Sequence, residues 1–361
     1  MKIIIVGGGI GGLSAAAGLL KLGIDVTVLE RADAIRTAGA GLNIWPNGGR
    51  ALGALGLKRE YDDISVRLMK YINYSSAGVL LRTIDTSDWG DRYGAYATGL
   101  HRRALNLMLA DAVGYENIRF NTEITSIRQE GDKVYCMTSD DKTLEADAVI
   151  GADGVHSRVR TSLIGDVSLR ENEYHAFRCR AIFDLTETSF ARDAQTGSYD
   201  EDGFVSVMPI GKGKAYWFGS INGARTLDEF IDTVSRWKLA ELPELVASTS
   251  KGVILENHLQ DFGGIPFRWT HGRVTLMGDA AHAVMPDLAQ GATQTLIDAA
   301  ALQAAFTETL NPVVAFQRYE QRRRPTADHL VACSARGNFM GGRRVNPIAI
   351  RYMNEVEAFQ G

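Results

Sequence analysis

Cysteine is scarce in this sequence: Cys136, Cys179 and Cys333 stand far apart in 361 residues, with no C-x-x-C spacing. That excludes a disulfide framework and a thiolate zinc site, so core thiols and no bound metal are expected. No apolar run approaches the roughly 20 residues of a membrane-spanning helix, so stable membrane insertion is not expected. Positive charge is not in excess either. The formal net charge is -4 and no long basic tract occurs, which argues against a nucleic-acid partner. The densest basic cluster, Arg322–Arg324, lies inside a helical pattern and reads as a solvated or salt-bridged face. No basic-plus-apolar leader precedes the first strand-like run, so a cytoplasmic protein is expected. What the chain has in quantity is glycine, 38 residues, which points to tight turns and close backbone approaches. Its length supports two domains, each with a core.

The first thirty residues organise the rest. Lys2–Val6 is a short, almost wholly apolar, β-branched run and reads as a buried parallel strand. Leu13–Leu22 has helical composition, and Ile24–Leu29 reads as a second strand closed by Glu30. Between strand and helix lies G-x-G-x-x-G. Gly7 permits the tight turn, Gly9 lets backbone approach a pyrophosphate, and Gly12 lets helix and strand pack closely. The helix N-terminus offers unpaired N–H groups to the phosphates. Glu30 ends the second strand where a carboxylate can accept from both hydroxyls of an adenosine ribose. At this point the motif leaves FAD and NAD both open.

Further along, Arg36–Arg50 reads as a glycine-rich loop and a short extended piece, followed by a helix opened by Pro46. Val66–Tyr74 and Val79–Ile84 read as a hairpin around Ser75–Gly78. His101 and Arg102 precede a helix from about Ala104 to Val113; Arg102 beside a dinucleotide could pair with phosphate. Ile118–Phe120, Ile124–Arg128, Val134–Met137 and Ala146–Ile150 read as short strands, the last leading into a corner at Gly151–Gly154. Tyr174–Leu185, Gly203–Ile210 and Lys214–Ile221 read as long antiparallel strands. On them Phe204 shares a face with the other even-numbered residues, and Tyr216 with Phe218, so the sheet could wall an aromatic pocket. Leu227–Arg236 reads as a surface helix. Pro312–Arg324, with Pro325 as a stop or kink, Thr326–Met340 and Pro347–Phe359 read as helices, with a break at Gly341–Gly342.

A second corner repeats the logic of the first. Arg273–Met277 is a strand, Gly278–Asp279 the turn, and Gln290 onward a long helix to about Thr309. A ligand with a pyrophosphate at one end and a polyol chain plus ring at the other would use both corners, which favours FAD over NAD.

With these residues in place, the chain resembles the FAD-dependent aromatic hydroxylases, the para-hydroxybenzoate hydroxylase-like single-component flavin monooxygenases. GGGIGG at Gly7–Gly12 with Glu30, GADGVHSRVR at Gly151–Arg160 and GDAAHAVMPDLAQG at Gly278–Gly291 carry the resemblance in order; GAGLNIWPN at Gly39–Asn47 and HRRAL at His101–Leu105 add to it. The urate, salicylate and hydroxynicotinate hydroxylases look nearest. The resemblance implies an α/β fold: a Rossmann-like FAD domain with an inserted, mainly antiparallel β-sheet substrate domain. The FAD domain would comprise 1–65, 98–170 and 270–330, the substrate domain 66–97 and 171–269, and C-terminal helices 331–361. It also implies NAD(P)H as a visiting reductant and oxygen transfer to an aromatic or heteroaromatic ring through a flavin C4a-hydroperoxide. The implied FAD contacts are Gly7, Gly9, Gly11, Gly12, Glu30, Arg31, Arg36, Gly41, Arg102, Ile124, Asp153, Asp279, Gly291 and Ala292.

Substrate contacts are expected at Asn43, Phe204, Tyr216, Pro286 and Asp287, with Asp287, Tyr216 and His282 as candidates for proton handling; His282 could instead orient Asp279. Ala289, Thr293 and Ile297 depart from the glycine, asparagine and glutamate common in the family. Phe204 stands where a urate-type enzyme has an arginine, which points to a neutral or bulkier aromatic substrate. The alternatives are a hydroxylase of polycyclic, tetracycline-type compounds and a flavin dehydrogenase or reductase that does not hydroxylate. A halogenase is disfavoured because Gly263–Trp269 lacks the W-x-W-x-I-P pattern, and a purely binding flavoprotein is a further rival. A monomer or homodimer is expected.

Overall fold

The computed structural model describes residues 1–35, 39–171, 177–200 and 203–334. Five strands form one wholly parallel sheet in the order Val274–Leu276, Ala148–Gly151, Lys2–Val6, Asp25–Leu29, Ile118–Arg119. Ile3, Ile4 and Ile5 of its middle strand are at most 1% exposed, as a strand covered on both faces requires. Helix Ile10–Leu20 covers one region of this sheet, and the long helix Gly291–Glu308 packs along it; the Gln303 amide donates to the Gly18 carbonyl oxygen.

A seven-stranded sheet forms the second layer, in the order Leu255–His258, Phe177–Asp184, Lys214–Ile221, Gly203–Gly211, Ala194–Tyr199, Lys70–Ser75, Leu80–Asp85. All pairs are antiparallel except Ala194–Tyr199 with Lys70–Ser75. Period-two alternation sorts its side chains. Val205, Val207 and Trp217 join the core under helix Leu227–Val234, whereas Phe204, Met208, Tyr216 and Phe218 join an aromatic cluster on the opposite face. The fold class read from the sequence is borne out.

Several element boundaries differ from the sequence reading. Val66–Tyr74 is not one strand: Ser65–Arg67 pairs with Thr98–His101, and Lys70–Ser75 belongs to the large sheet. Between them Leu68 and Met69 donate to the Ala97 and Asp193 carbonyls, so the chain changes sheets there. Ala146–Ile150 is likewise interrupted at Asp147, whose carboxylate accepts from the Lys2 N–H. Pro325 does not stop its helix, which runs from Pro312 to Ser334. The residues just before it are tied down. Arg323 binds Asp298 and Gln294, and Arg324 binds the Phe267 and Ile265 carbonyls. The cluster is salt-bridged, as one of the two sequence readings has it, and also an internal fastening: Arg322 pairs with Glu308, and Arg324 with Asp328 and Glu320. The expected helix Pro347–Phe359, the Gly341–Gly342 break and the start of the strand at Tyr174 lie outside the described residues.

All three cysteines are buried, and none forms a disulfide among the described residues. Among the described residues no cluster of His, Cys, Asp or Glu could hold a metal, and no helix is long and apolar enough to cross a membrane.

Candidate active site

At the first corner each glycine meets a different constraint. Gly7 has φ +110°, and a Cβ there would lie 2.4 Å from the Ala152 carbonyl oxygen. A Cβ on Gly12 would lie 1.9 Å from the Gly7 carbonyl oxygen, so this glycine serves helix–strand packing and does not line the cavity. A Cβ on Gly9 would meet nothing within 4 Å. That open side, beside the free N–H groups of the following helix, is where a pyrophosphate fits. Glu30 is buried; its two carboxylate oxygens accept from the Gly8 and Ala32 N–H groups, each at 2.8 Å. Each oxygen keeps a lone pair for a ribose hydroxyl.

The second corner turns on Gly278, at φ +57°. Its N–H donates to Asp298 at 3.0 Å, which leaves Asp279 facing the cavity. Asp279 is exposed to that enclosed space while protein surrounds it. Burial raises its pKa, against the pull of His282 and Arg102. Arg102 opens helix Arg102–Val113 and also faces the cavity. His101 is the N-cap of that helix, its Nδ1 accepting from the Arg103 N–H at 3.0 Å.

Both corners and the inner face of the large sheet line one continuous cavity of about 1010 Å³. Of the expected cofactor contacts, Gly7, Gly9, Gly11, Glu30, Arg31, Gly41, Arg102, Ile124, Asp153, Asp279, Gly291 and Ala292 line it. Asp153 is also spoken for structurally: it accepts from the Ser157 hydroxyl at 2.5 Å and from the Arg158 N–H at 2.7 Å, so it fastens the start of helix Arg158–Ile164. Gly41 is small because of a neighbour, since a Cβ there would lie 2.2 Å from the Tyr216 ring. Arg36 and the Asp287 side chain lie outside the described residues.

Asn43, Tyr216 and Pro286 line the substrate end. Phe204 does not. It is 2% exposed and lies behind Tyr199 and Phe218, with ring centroids 5.8 and 5.9 Å away. The sequence-based argument for a neutral substrate therefore loses its footing, because that ring never meets the ligand space. His282 is displaced in the same way. Its Nε2 lies 2.6 Å from Asp298 and its ring packs on Trp269. It fastens Asp298, not Asp279, and does not line the cavity. Burial would raise the Asp298 pKa, but His282, Arg323 and the Gly278 N–H hold it well below the usual carboxylate range.

Sequence reasoning missed half of the wall. Trp45 stacks on Tyr71 at 5.7 Å and on Trp89 at 5.9 Å, and all three line the cavity with Tyr199 and Phe218. It also missed Arg178 and Arg180, two lining cations on strand Phe177–Asp184. Their spacing of two within an apolar strand was the available signal. Ala289 adopts φ +50°, just before the long helix.

FAD fits these residues: a pyrophosphate slot at Gly9, a ribose acceptor at Glu30 and an acid at the second corner are all on one cavity. The comparisons agree. Residues 1–334 match the family described as FAD binding domain. The chain is 30% identical over 333 residues to FAD-dependent urate hydroxylase from Klebsiella pneumoniae, covering 90% of this chain and 86% of that one. It is 29% identical over 344 residues to aurachin C monooxygenase/isomerase from Stigmatella aurantiaca, covering 93% and 88%. The crystal structure of Klebsiella pneumoniae HpxO complexed with FAD and uric acid superposes with a TM-score of 0.86 at 25% identity, covering 98% of this chain and 92% of that one. The chain belongs to the FAD-binding-domain family of para-hydroxybenzoate hydroxylase-like flavoproteins, and it is an FAD-dependent monooxygenase of the aromatic and heteroaromatic hydroxylase class.

Proposed function

We propose that the protein uses NADH or NADPH and O2 to hydroxylate a small aromatic or heteroaromatic ring held between the second corner and the aromatic sheet wall. The carrying observation is that cofactor corners and aromatic wall share one cavity. A volume of about 1010 Å³ compares with roughly 300–1,000 Å³ for a drug-sized ligand alone. Since the dinucleotide must fit as well, a small ring is favoured over a polycyclic one.

Bound FAD supplies the redox and oxygen-transfer chemistry, one atom of O2 going to the ring and the other to water. The chain's own contribution is placement and dryness. Trp45, Tyr71, Trp89 and Phe218 exclude water and give the ring faces to pack on. Asn43 is oriented by donating to the Tyr71 hydroxyl at 2.9 Å. Tyr216 makes no hydrogen bond among the described residues, and burial pushes its phenol up to about 12. In neutral solution it is therefore a donor to the ligand rather than a base. Proton acceptance falls to Asp287 in this proposal, and Asp287→Ala is expected to slow hydroxylation with FAD stoichiometry unchanged. The thiols suit a reducing, cytoplasmic setting, and gel filtration will distinguish monomer from homodimer.

The test is a panel of aromatic compounds added to the purified yellow holoenzyme. At least one is expected to accelerate NAD(P)H oxidation and to gain one oxygen by mass spectrometry. Stimulated oxidation that returns all its O2 as hydrogen peroxide across the panel would refute the proposal.

A further inference from the structure

Arg178 and Arg180 alternate along Phe177–Asp184, so both point from the inner face of the large sheet, opposite Ser220 and Phe218 respectively. Arg178 lies over the Phe218 ring at 5.0 Å. Arg180 has neither hydrogen bond nor ion pair among the described residues, and its Nε is buried without a partner. Apart from Arg178, the sheet residues that share the cavity with it are aromatic, amide or aliphatic, among them Tyr71, Tyr216, Phe218, Asn73, Gln195 and Ile84. None is a carboxylate. Burial, then the neighbouring Arg178, draws Arg180 down to about 10, which still leaves it charged at neutral pH. A desolvated cation facing rings, with no counter-ion, is costly unless a ligand supplies the missing charge.

We propose that Arg180, with Arg178 beside it, is the anion anchor of the substrate end, so that the ring acted on carries a carboxylate or an equally delocalised anionic edge. A guanidinium takes such an edge through two parallel N–H donors, while the ring packs on the aromatic wall. This specificity-determining role sits on Phe177–Asp184, one strand removed from Lys214–Ile221 and two from Gly203–Gly211, which carries Phe204. The inference rests on the monooxygenase reading of the cavity and deepens it by naming the substrate's charge. Two other negative groups could use the same cations, the phosphates of the nicotinamide donor and the reduced cofactor, and the test separates them.

The probes are matched acid and amide pairs: salicylate with salicylamide, 4-hydroxybenzoate with 4-hydroxybenzamide, 6-hydroxynicotinate with 6-hydroxynicotinamide, and quinaldate with quinaldamide. Binding to the holoenzyme is read from perturbation of the flavin absorbance spectrum, which needs no turnover, so failure here is distinct from failure of hydroxylation. In at least one pair the acid is expected to bind at least about tenfold more tightly than its amide. Raising the salt concentration should weaken the acid alone, as for a charge-assisted contact. Arg180→Gln should remove the preference while retaining FAD, and Arg180→Lys should restore part of it. FAD content and thermal melting establish that each variant is folded. The proposal is overturned by equal affinity of acid and amide in every pair, by failure of every acid to bind at about 10 mM, or by a preference that survives in Arg180→Gln. A variant that changes only the KM for NAD(P)H, or only the flavin reduction potential, also overturns it and assigns the arginine to the donor or the cofactor.

Discussion

Two neighbouring glycines should fail in opposite ways when given one methyl group. In Gly12→Ala the new carbon would lie 1.9 Å from the Gly7 carbonyl oxygen, where real contacts stay beyond about 3 Å. Helix Ile10–Leu20 and the end of Lys2–Val6 must therefore separate by about 1 Å, backbone against backbone. Overpacking of this kind costs about 3 kcal/mol or more. At roughly 2–4 °C per kcal/mol, the apoprotein melting temperature should fall by about 6–12 °C. Gly9→Ala meets no protein atom within 4 Å, and Gly9 has an extended backbone, φ -86° and ψ -172°, that alanine adopts freely. Its apoprotein should melt within about 2 °C of wild type, as surface changes do. Its methyl would instead occupy the pyrophosphate slot, weakening FAD by at least about 30-fold, or about 2 kcal/mol. Thermal melts of both apoproteins and FAD titration by fluorescence quenching read the two effects separately. A Gly12→Ala protein that melts like wild type, or a Gly9→Ala protein that binds FAD normally, would refute the assignment of packing to one glycine and phosphate approach to the other.

Three further outcomes follow from the geometry. Asp298→Asn leaves His282 and Arg323 facing a neutral amide in the core, and should cost about 3–5 kcal/mol at neutral pH in denaturant melts. Because Asp298 titrates lower when folded, its contribution is present above the unfolded carboxylate value of about 3.9 and is lost as pH falls through the lower folded value. The gap between wild type and variant should therefore narrow below about pH 4, and a constant gap would contradict the ion-pair account. Ala289→Gly relieves a left-handed alanine at some entropic cost, for a net gain of about 0.5 kcal/mol and about 1–2 °C in melting temperature. A lower melting temperature would contradict it. With Tyr216 raised to about 12, the rate profile between about pH 6 and 9 should contain no ionisation that Tyr216→Phe removes.

The chain's sequence by itself determined the local chemistry of both corners. A glycine needing positive φ, a glycine under a carbonyl and an acid closing a strand are constraints set within a few residues, and Gly7, Gly12, Glu30 and Gly278 meet them where expected. Strand faces were legible for the same reason, since alternation is a property of one strand: Tyr216 and Phe218 stack at 4.8 Å on the face assigned to them. What lay beyond reach was which side chains from separate strands meet. Alternation puts Phe204 on the pocket face, yet Tyr199 of the adjoining strand covers it. Sequence proximity offers His282 the acid three residues away, while the carboxylate it binds comes from a helix sixteen residues on. The aromatic wall joins Trp45, Tyr71 and Trp89 to Tyr199 and Phe218, more than a hundred residues later, and Arg180 faces the cavity because its neighbours in the register turn it inward. Local rules fix how a segment bends and which way its side chains alternate; only the packing of one sheet against another decides which of those faces encloses a ligand.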